Sequence, residues 1–327
     1  MIEAAVIGVG GIGAAAGRIM AQKGGFRVVG LVDRFDLAAD AAGLNVDQVL
    51  ERKKSSGSLS EASPAGRPPD DPVASLLRAA PGVEALLLSV PSIPHDLVAR
   101  QVLHLIELGF KGAVVDVLDQ SGALAQVLPL EEKIRAAGMT YVTGCGCTPG
   151  LLTAAASLCA HSFIEVEEVR IHFGVGIAGY LERDEASLRE VLAGWRGMGV
   201  KRAEALTKDE IRTILEEENG LLDVSGLSHG DDVLIERSGV APRDRVEVGG
   251  RIDTTKDLKP TTTTVTVTGL TFDGRRSSHE LRLGNETSMF ANTAGPAVGY
   301  LARAVELNRR KVTGLFGSTD LIPCFIH

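Results

Sequence analysis

Residues 4–34 read AAVIGVGGIGAAAGRIMAQKGGFRVVGLVDR. An apolar run, 4–7, leads into Gly8-Val9-Gly10-Gly11-Ile12-Gly13. A small-residue helical pattern follows, and a second apolar run, 28–32, ends at Asp33. The order is strand, glycine turn, helix, strand, acid, with the acid 20 residues beyond the third glycine of GxGxxG. That is the arrangement a dinucleotide needs. Gly8 permits the tight turn, Gly10 lets backbone approach a pyrophosphate, and Gly13 lets helix pack on strand. Gly11 and Ile12 complete the turn, whose helix-start N–H groups face the phosphates. A glycine-rich turn without a ligand is the alternative; the flanking strands, the helix and the acid argue against it.

Moving outward, Asp33 is followed by Arg34. A terminal acid accepts the ribose hydroxyls of NAD, whereas a neighbouring Arg can hold the 2′-phosphate of NADP. Asp33 stands where it would clash most with that phosphate, so NAD(P) is the expected cofactor and NAD the favoured form. Residues 51–72, ERKKSSGSLSEASPAGRPPDDP, read as an exposed excursion before a helix starting near Val73. A strand over 84–90, a helix over 94–108 and a strand over 113–117 make a βαβ unit. Ligands of an open parallel sheet lie beyond the carboxyl ends of its strands. Ser89, Val90 and Pro91 are thereby placed beside the nicotinamide ribose, and Asp116 and Asp119 at the next strand tip. After a helix over 121–137 and a strand over 140–143, the turn Gly144-Cys145-Gly146-Cys147-Thr148-Pro149-Gly150 opens an apolar helix. This second glycine turn faces the same crevice. Gly146, Thr148, Pro149 and Gly150 become candidate substrate contacts, since the helix start offers N–H donors to an anion. Cys147 at that start is a candidate for a lowered thiol pKa and acid–base work, or a small buried thiol.

The chain has 327 residues, a net charge of −8, one Trp and three Tyr. This length favours two domains. The acidic balance and the scarcity of aromatic residues argue against a nucleic-acid partner or an anionic membrane surface. No apolar run approaches the roughly 20 residues of a membrane span. The fingerprint begins almost at Met1, leaving no room for a leader, and the four cysteines suit a reducing compartment; a cytoplasmic protein is expected. Cys145-x-Cys147 has no second ligand pair at zinc spacing, so no metal site is expected.

Beyond residue 161 the texture changes. Residues 166–173 alternate like a half-wet strand, two charged amphipathic helices follow near 184–197 and 207–219, and 246–253, 261–268 and 281–283 read as strands. The expectation is a doubly wound parallel Rossmann sheet over 1–160, then an α+β substrate and dimerisation domain with an antiparallel sheet over 161–284. A closing helix and tail, 285–327, return to the first domain. His172, within the alternating strand, is a candidate for the inter-domain cleft. His229, in the polar loop Gly226-Leu227-Ser228-His229-Gly230-Asp231-Asp232, is a candidate substrate contact. Asn285-Glu286-Thr287 read as cap residues, and Asn292 as a polar break in an apolar face. A small-molecule substrate and a homodimer are the expected partners, the dimer on base rates.

The fingerprint, the Ser-Val-Pro of 89–91 and the strand–GCGCTPGL–helix element of 144–151 resemble the saccharopine dehydrogenase-like oxidoreductases. Overall length, the turn over 143–150 and the stretch over 292–325 look like meso-diaminopimelate dehydrogenase. The resemblance covers 1–160 and the C-terminal end and is loose over 161–284. It departs in placing Cys147-Thr148 where an acidic Asp-Pro step stands in that family. The resemblance implies hydride transfer at a C–N centre of an amino-acid-derived compound, with Cys147, Asp116 and Asp119 as candidate proton carriers. It also implies that Arg170, Arg183 or Arg251 holds substrate carboxylates. Two alternatives of other classes are an NAD(H)-binding regulatory or redox-sensing module without turnover, and a lyase or cyclase with tightly held NAD.

Overall fold

The computed structural model describes residues 1–60, 71–179, 181, 185–284 and 288–326. Two sheets organise them. The first has seven strands in the order β12-β6-β5-β4-β1-β2-β3. Its members are β1 (Ile2–Ile7), β2 (Phe26–Asp33), β3 (Asp36–Ala39), β4 (Ala85–Leu88), β5 (Ala113–Asp116), β6 (Thr140–Thr143) and β12 (Gly314–Gly317). All pair in parallel except β3, which runs antiparallel to β2. The fold is therefore the Rossmann-type α/β layer expected from sequence. The central strands are buried on both faces because helices cover both sides. Helices α1 (Gly11–Gln22) and α2 (Val46–Ser56) lie on one face, and α3 (Pro72–Ala79), α4 (Leu97–Glu107), α5 (Ser121–Val127) and α6 (Glu131–Ala136) on the other. The single helix expected over 121–137 is divided at Leu128-Pro129, where a short 3₁₀ turn intervenes. The excursion expected over 51–72 is helical as far as Ser56; residues 61–70 lie outside the described ones.

A helix of 21 residues, Met289–Arg309, closes the first layer. It packs on α1, β4, β5 and β6. Ala294, Ala297 and Ala304 let its axis approach the sheet, while Val298, Leu301 and Val305 fill the space between. Burying each of those larger side chains stabilises the fold by about 1.5–3 kcal/mol. The Tyr300 hydroxyl, fully buried, donates to the Ser318 carbonyl at 3.0 Å. Asn308 Nδ2 donates to the carbonyls of Lys111 and Gly138 at 3.0 and 3.1 Å, pinning the far end of the helix.

The second sheet has the order β11-β10-β7-β9-β8, with β7 (Glu165–Gly176), β8 (Leu221–Val224), β9 (Val246–Asp253), β10 (Thr263–Leu270) and β11 (Arg276–Leu283). The expectation of an antiparallel sheet needs one correction: β7 and β9 run parallel. Between them lie the charged helices and β8, long enough for the crossover a parallel pair requires. One face, with Val169, Ile171, Val265 and Val267, packs under α7 (Leu151–Ala160). The helix Gly230–Arg237 joins the layers: Leu234 is part of the Rossmann core and Ile235 of the second core. Among the described residues no helix is long and apolar enough to cross a membrane.

Candidate active site

Two glycine turns meet at the carboxyl edge of the first sheet. The first follows β1. Gly8 has φ +94°, and a Cβ there would stand 2.5 Å from the Ser89 carbonyl; one on Gly13 would stand 1.9 Å from the Gly8 carbonyl. Ser89 Oγ donates to that same Gly8 carbonyl at 2.5 Å. A Cβ on Gly10 would meet nothing within 4 Å, so the backbone is open there. α1 begins at Gly11 with no side-chain cap, leaving its first N–H groups directed outward. Ile12 is half-buried, and the Phe290 ring of the closing helix stands over Gly11. Val90 is half-buried and Pro91 exposed at the tip of β4. An open, anion-seeking helix start beside glycines that no side chain could replace is a cradle that fits a dinucleotide pyrophosphate.

At the tip of β2, both carboxylate oxygens of Asp33 are engaged. Oδ1 accepts from the Arg34 N–H at 2.9 Å. Oδ2 accepts from Lys53 Nζ, which also donates to the Val9 carbonyl inside the glycine turn. Arg34 is exposed, its guanidinium 4.9 Å from the centre of the Phe35 ring.

The second turn, between β6 and α7, is held from below by Asp116. This carboxylate, 1% exposed, accepts from Tyr141 Oη at 2.5 Å, Gly144 N at 2.7 Å and Leu118 N at 3.0 Å. Burial raises its pKa against the lowering effect of those donors. Asp116, expected at the crevice as a proton carrier, is thus placed beneath the turn as its anchor. Gly150, at φ +132°, closes the turn; a Cβ there would lie 1.9 Å from the Gly146 carbonyl. Gly146 and Pro149 are buried with it, and Thr148 is half-buried.

Above the turn sits a buried polar cluster. Asp231, fully buried, accepts from Thr148 Oγ1 and Thr153 Oγ1 at 2.5 Å each and pairs with His229 Nδ1 at 2.7 Å. Thr153 Oγ1 also accepts from the Gly150 N–H at 2.8 Å. Asp119 accepts from Ser92 Oγ at 2.8 Å, and its carbonyl takes the Gly230 N–H at 2.6 Å. Burial opposes a charge on His229, but the bond to Asp231 and the charges of Asp231, Asp119 and Asp232 carry its pKa above the ordinary value. With Nδ1 held by Asp231, Nε2 is the ring nitrogen left for chemistry. The Phe173 ring, 6.4 Å from the imidazole centre, and Cys147 flank the cluster, and Lys259, 6% exposed, brings a positive charge close to Cys147.

For Cys147 the reading as a lowered-pKa proton carrier is corrected and the buried-thiol reading fits: burial and the neighbouring Asp231 push its pKa up to about 12, against the lowering influence of Lys259. It is a neutral thiol at ordinary pH. His172 is also displaced from expectation: Ile171 and Phe173 point into the core, so His172 projects from the exposed face of β7, away from the crevice. Arg170 and Arg251 lie exposed on the second sheet, paired with Glu168, Glu247 and Asp223. Arg183 and Asn285-Glu286-Thr287 lie outside the described residues. Asn292 is buried near the start of the closing helix.

Sequence alone does not single out Lys53, Thr153, Asp231 or Lys259. For Asp231 a signal existed. It stands two residues beyond His229 at the start of a helix, where an acid is favoured. Lys53 was hidden in a charged run, and the other two carry no local mark.

No family model matches the chain. Over an alignment 350 positions long, covering 99% of this chain and 99% of the relative, it is 37% identical to the (S)-8-amino-7-oxononanoate synthase BioU of Haloferax mediterranei. Among solved structures, an engineered D-amino acid dehydrogenase bound to NADP+ superposes with TM-score 0.58 at 14% identity, covering 98% of this chain and 93% of that one. The C. glutamicum diaminopimelate dehydrogenase in complex with DAP gives the same TM-score, identity and coverage. At this identity the structures share a fold and no more. The reading of the sequence as a saccharopine or meso-diaminopimelate dehydrogenase, moving a hydride at a C–N centre, is therefore overturned. The 37% relative is a synthase of a different family, and the likeness to dehydrogenases is one of fold, over 98% of the chain.

Proposed function

The chain belongs to the family of the synthase BioU, and from that premise we propose that it is an enzyme of 8-amino-7-oxononanoate chemistry, working in the crevice between its two sheets with an NAD(P) dinucleotide held by the first glycine turn. The compound in the relative's name is a nine-carbon acid with a ketone beside an amine. Chemistry at such a centre needs a group that holds and moves a proton at the carbonyl oxygen, and an environment that keeps bulk water away.

The observation that carries the reading is the buried His229–Asp231 pair above the second glycine turn. Asp231 fixes the imidazole through Nδ1 and favours its charged form, so Nε2–H is a donor for a carbonyl oxygen and can take the proton back. Asp119, beside the ring, favours an ammonium group nearby. Cys147 as a neutral thiol and the Phe173 ring wall the site without adding charge. The open backbone at Gly10 and the uncapped start of α1 support the dinucleotide, as does NADP+ bound to a protein of the same fold.

An enzyme catalyses its reaction in both directions, so the test starts from the named compound. Purified protein is incubated with 8-amino-7-oxononanoate and each of NAD+, NADH, NADP+ and NADPH, and the mixture is followed by chromatography and mass spectrometry. The expected result is a change in the compound that needs a dinucleotide and is lost in His229→Ala. A compound left intact under all four conditions contradicts the proposal.

A further inference from the structure

Among the groups around the two turns that the proposed chemistry leaves unused is Lys53. α2 places it. Asn45 caps that helix by accepting from Gln48 N at 3.1 Å, and Val46, Val49 and Leu50 bury one face beside α1. Lys53, four residues after Val49 and three after Leu50, emerges from the same face one turn later. Arg52 donates to the Leu59 carbonyl at 2.9 Å, fixing the end of the helix. Nζ of Lys53 thereby reaches two groups at once, the Asp33 carboxylate and the Val9 carbonyl.

Asp33 occupies the position that normally accepts the 2′-hydroxyl of NAD and repels a 2′-phosphate. Here its charge is offset by Lys53, and Arg34, propped on Phe35, adds another cation. The local balance of these three side chains is one net positive charge. We propose that Lys53, together with Arg34, makes the adenosine end a 2′-phosphate site, so that the chain selects NADP(H) over NAD(H). This rests on the dinucleotide reading above and replaces the preference for NAD that Asp33 alone suggests. Lys53 acts from a helix outside the fingerprint. It is anchored to the same turn that holds the pyrophosphate, so the two ends of the dinucleotide site are linked by one side chain.

The test is fluorescence titration of NADPH and NADH into wild type, Lys53→Ala, Lys53→Arg and Arg34→Ala, with melting temperature as a check on folding. Wild type is expected to bind NADPH at least about tenfold more tightly than NADH. Lys53→Ala exposes the Asp33 charge and should weaken NADPH by about thirtyfold or more while changing NADH less than about threefold. Lys53→Arg should keep the preference, and Arg34→Ala should lose part of it. Adenosine 2′,5′-bisphosphate should bind wild type more tightly than adenosine 5′-monophosphate. Equal weakening of both dinucleotides in Lys53→Ala would show that Lys53 only supports the Val9 turn, and would overturn the proposal. A wild type that prefers NADH would overturn it too. Binding of neither dinucleotide would instead remove the broader reading, and this one with it.

Discussion

The two glycine turns share one sheet edge and differ in what completes them. The Gly8–Gly13 turn leaves its helix-start N–H groups turned outward; its side-chain contacts, from Ser89, Lys53 and Phe290, fall on its carbonyls and on Gly11. The Gly144–Gly150 turn is completed by side chains from a distant helix. Asp231 crosses to Thr148 and Thr153, and His229 sits on the same carboxylate. A backbone cradle recognises phosphate wherever it occurs. A buried side-chain network specifies one chemistry, because each member leaves a partner unsatisfied when it is removed.

The largest effect on the second turn is expected from Asp231→Ala, which strands two threonine hydroxyls and a buried imidazole. We expect a loss of about 3–5 kcal/mol, read from denaturant unfolding. A loss below about 1 kcal/mol would mean that the network is not the element that closes the second turn. Gly13→Ala acts on the other side, because its Cβ meets the Gly8 carbonyl at 1.9 Å. Dinucleotide binding should fall by about a hundredfold, equal to about 2.7 kcal/mol. The buried Asp231 network should keep its protection in hydrogen exchange. Thr153→Val removes one charge-assisted bond and should cost about 1.5–3 kcal/mol of stability, with dinucleotide affinity unchanged in titration. The smallest effect is one of pH. Since the pKa of His229 is raised above its ordinary 6.5, the stability from its charged form is complete below that value. It is lost as pH rises through the folded value. The melting-temperature difference between wild type and His229→Gln should therefore shrink from about pH 6 to pH 9. A difference that grows with pH would reverse the sign assigned to the pair.

How much could be read in the chain follows the same division. Strand, turn, helix and acid over 4–34 are local, so periodicity and glycine spacing expose them. The elements that escaped were short or displaced, such as β3 and β8. The Asp231 contacts join residues 83 and 78 positions apart, and no local pattern marks such a pairing. The same holds for Lys53, 20 positions from Asp33 and 44 from Val9. Of the two readings of Cys147, the structure fits the small buried thiol: the helix start that lowers a thiol pKa is visible in sequence, while the burial and the Asp231 charge that outweigh it arise only on folding. The fingerprint, Ser89-Val90-Pro91 and the element over 144–151 together suggest a dehydrogenase, and the 37% relative overturns that reading.

The most direct test of the account is calorimetric titration of 8-amino-7-oxononanoate into the protein saturated with NADPH, comparing wild type with His229→Ala. The account predicts saturable binding to wild type and at least a tenfold loss, about 1.4 kcal/mol, in the variant. No binding to wild type, or equal binding to both, would contradict the assignment of the compound to the His229–Asp231 crevice.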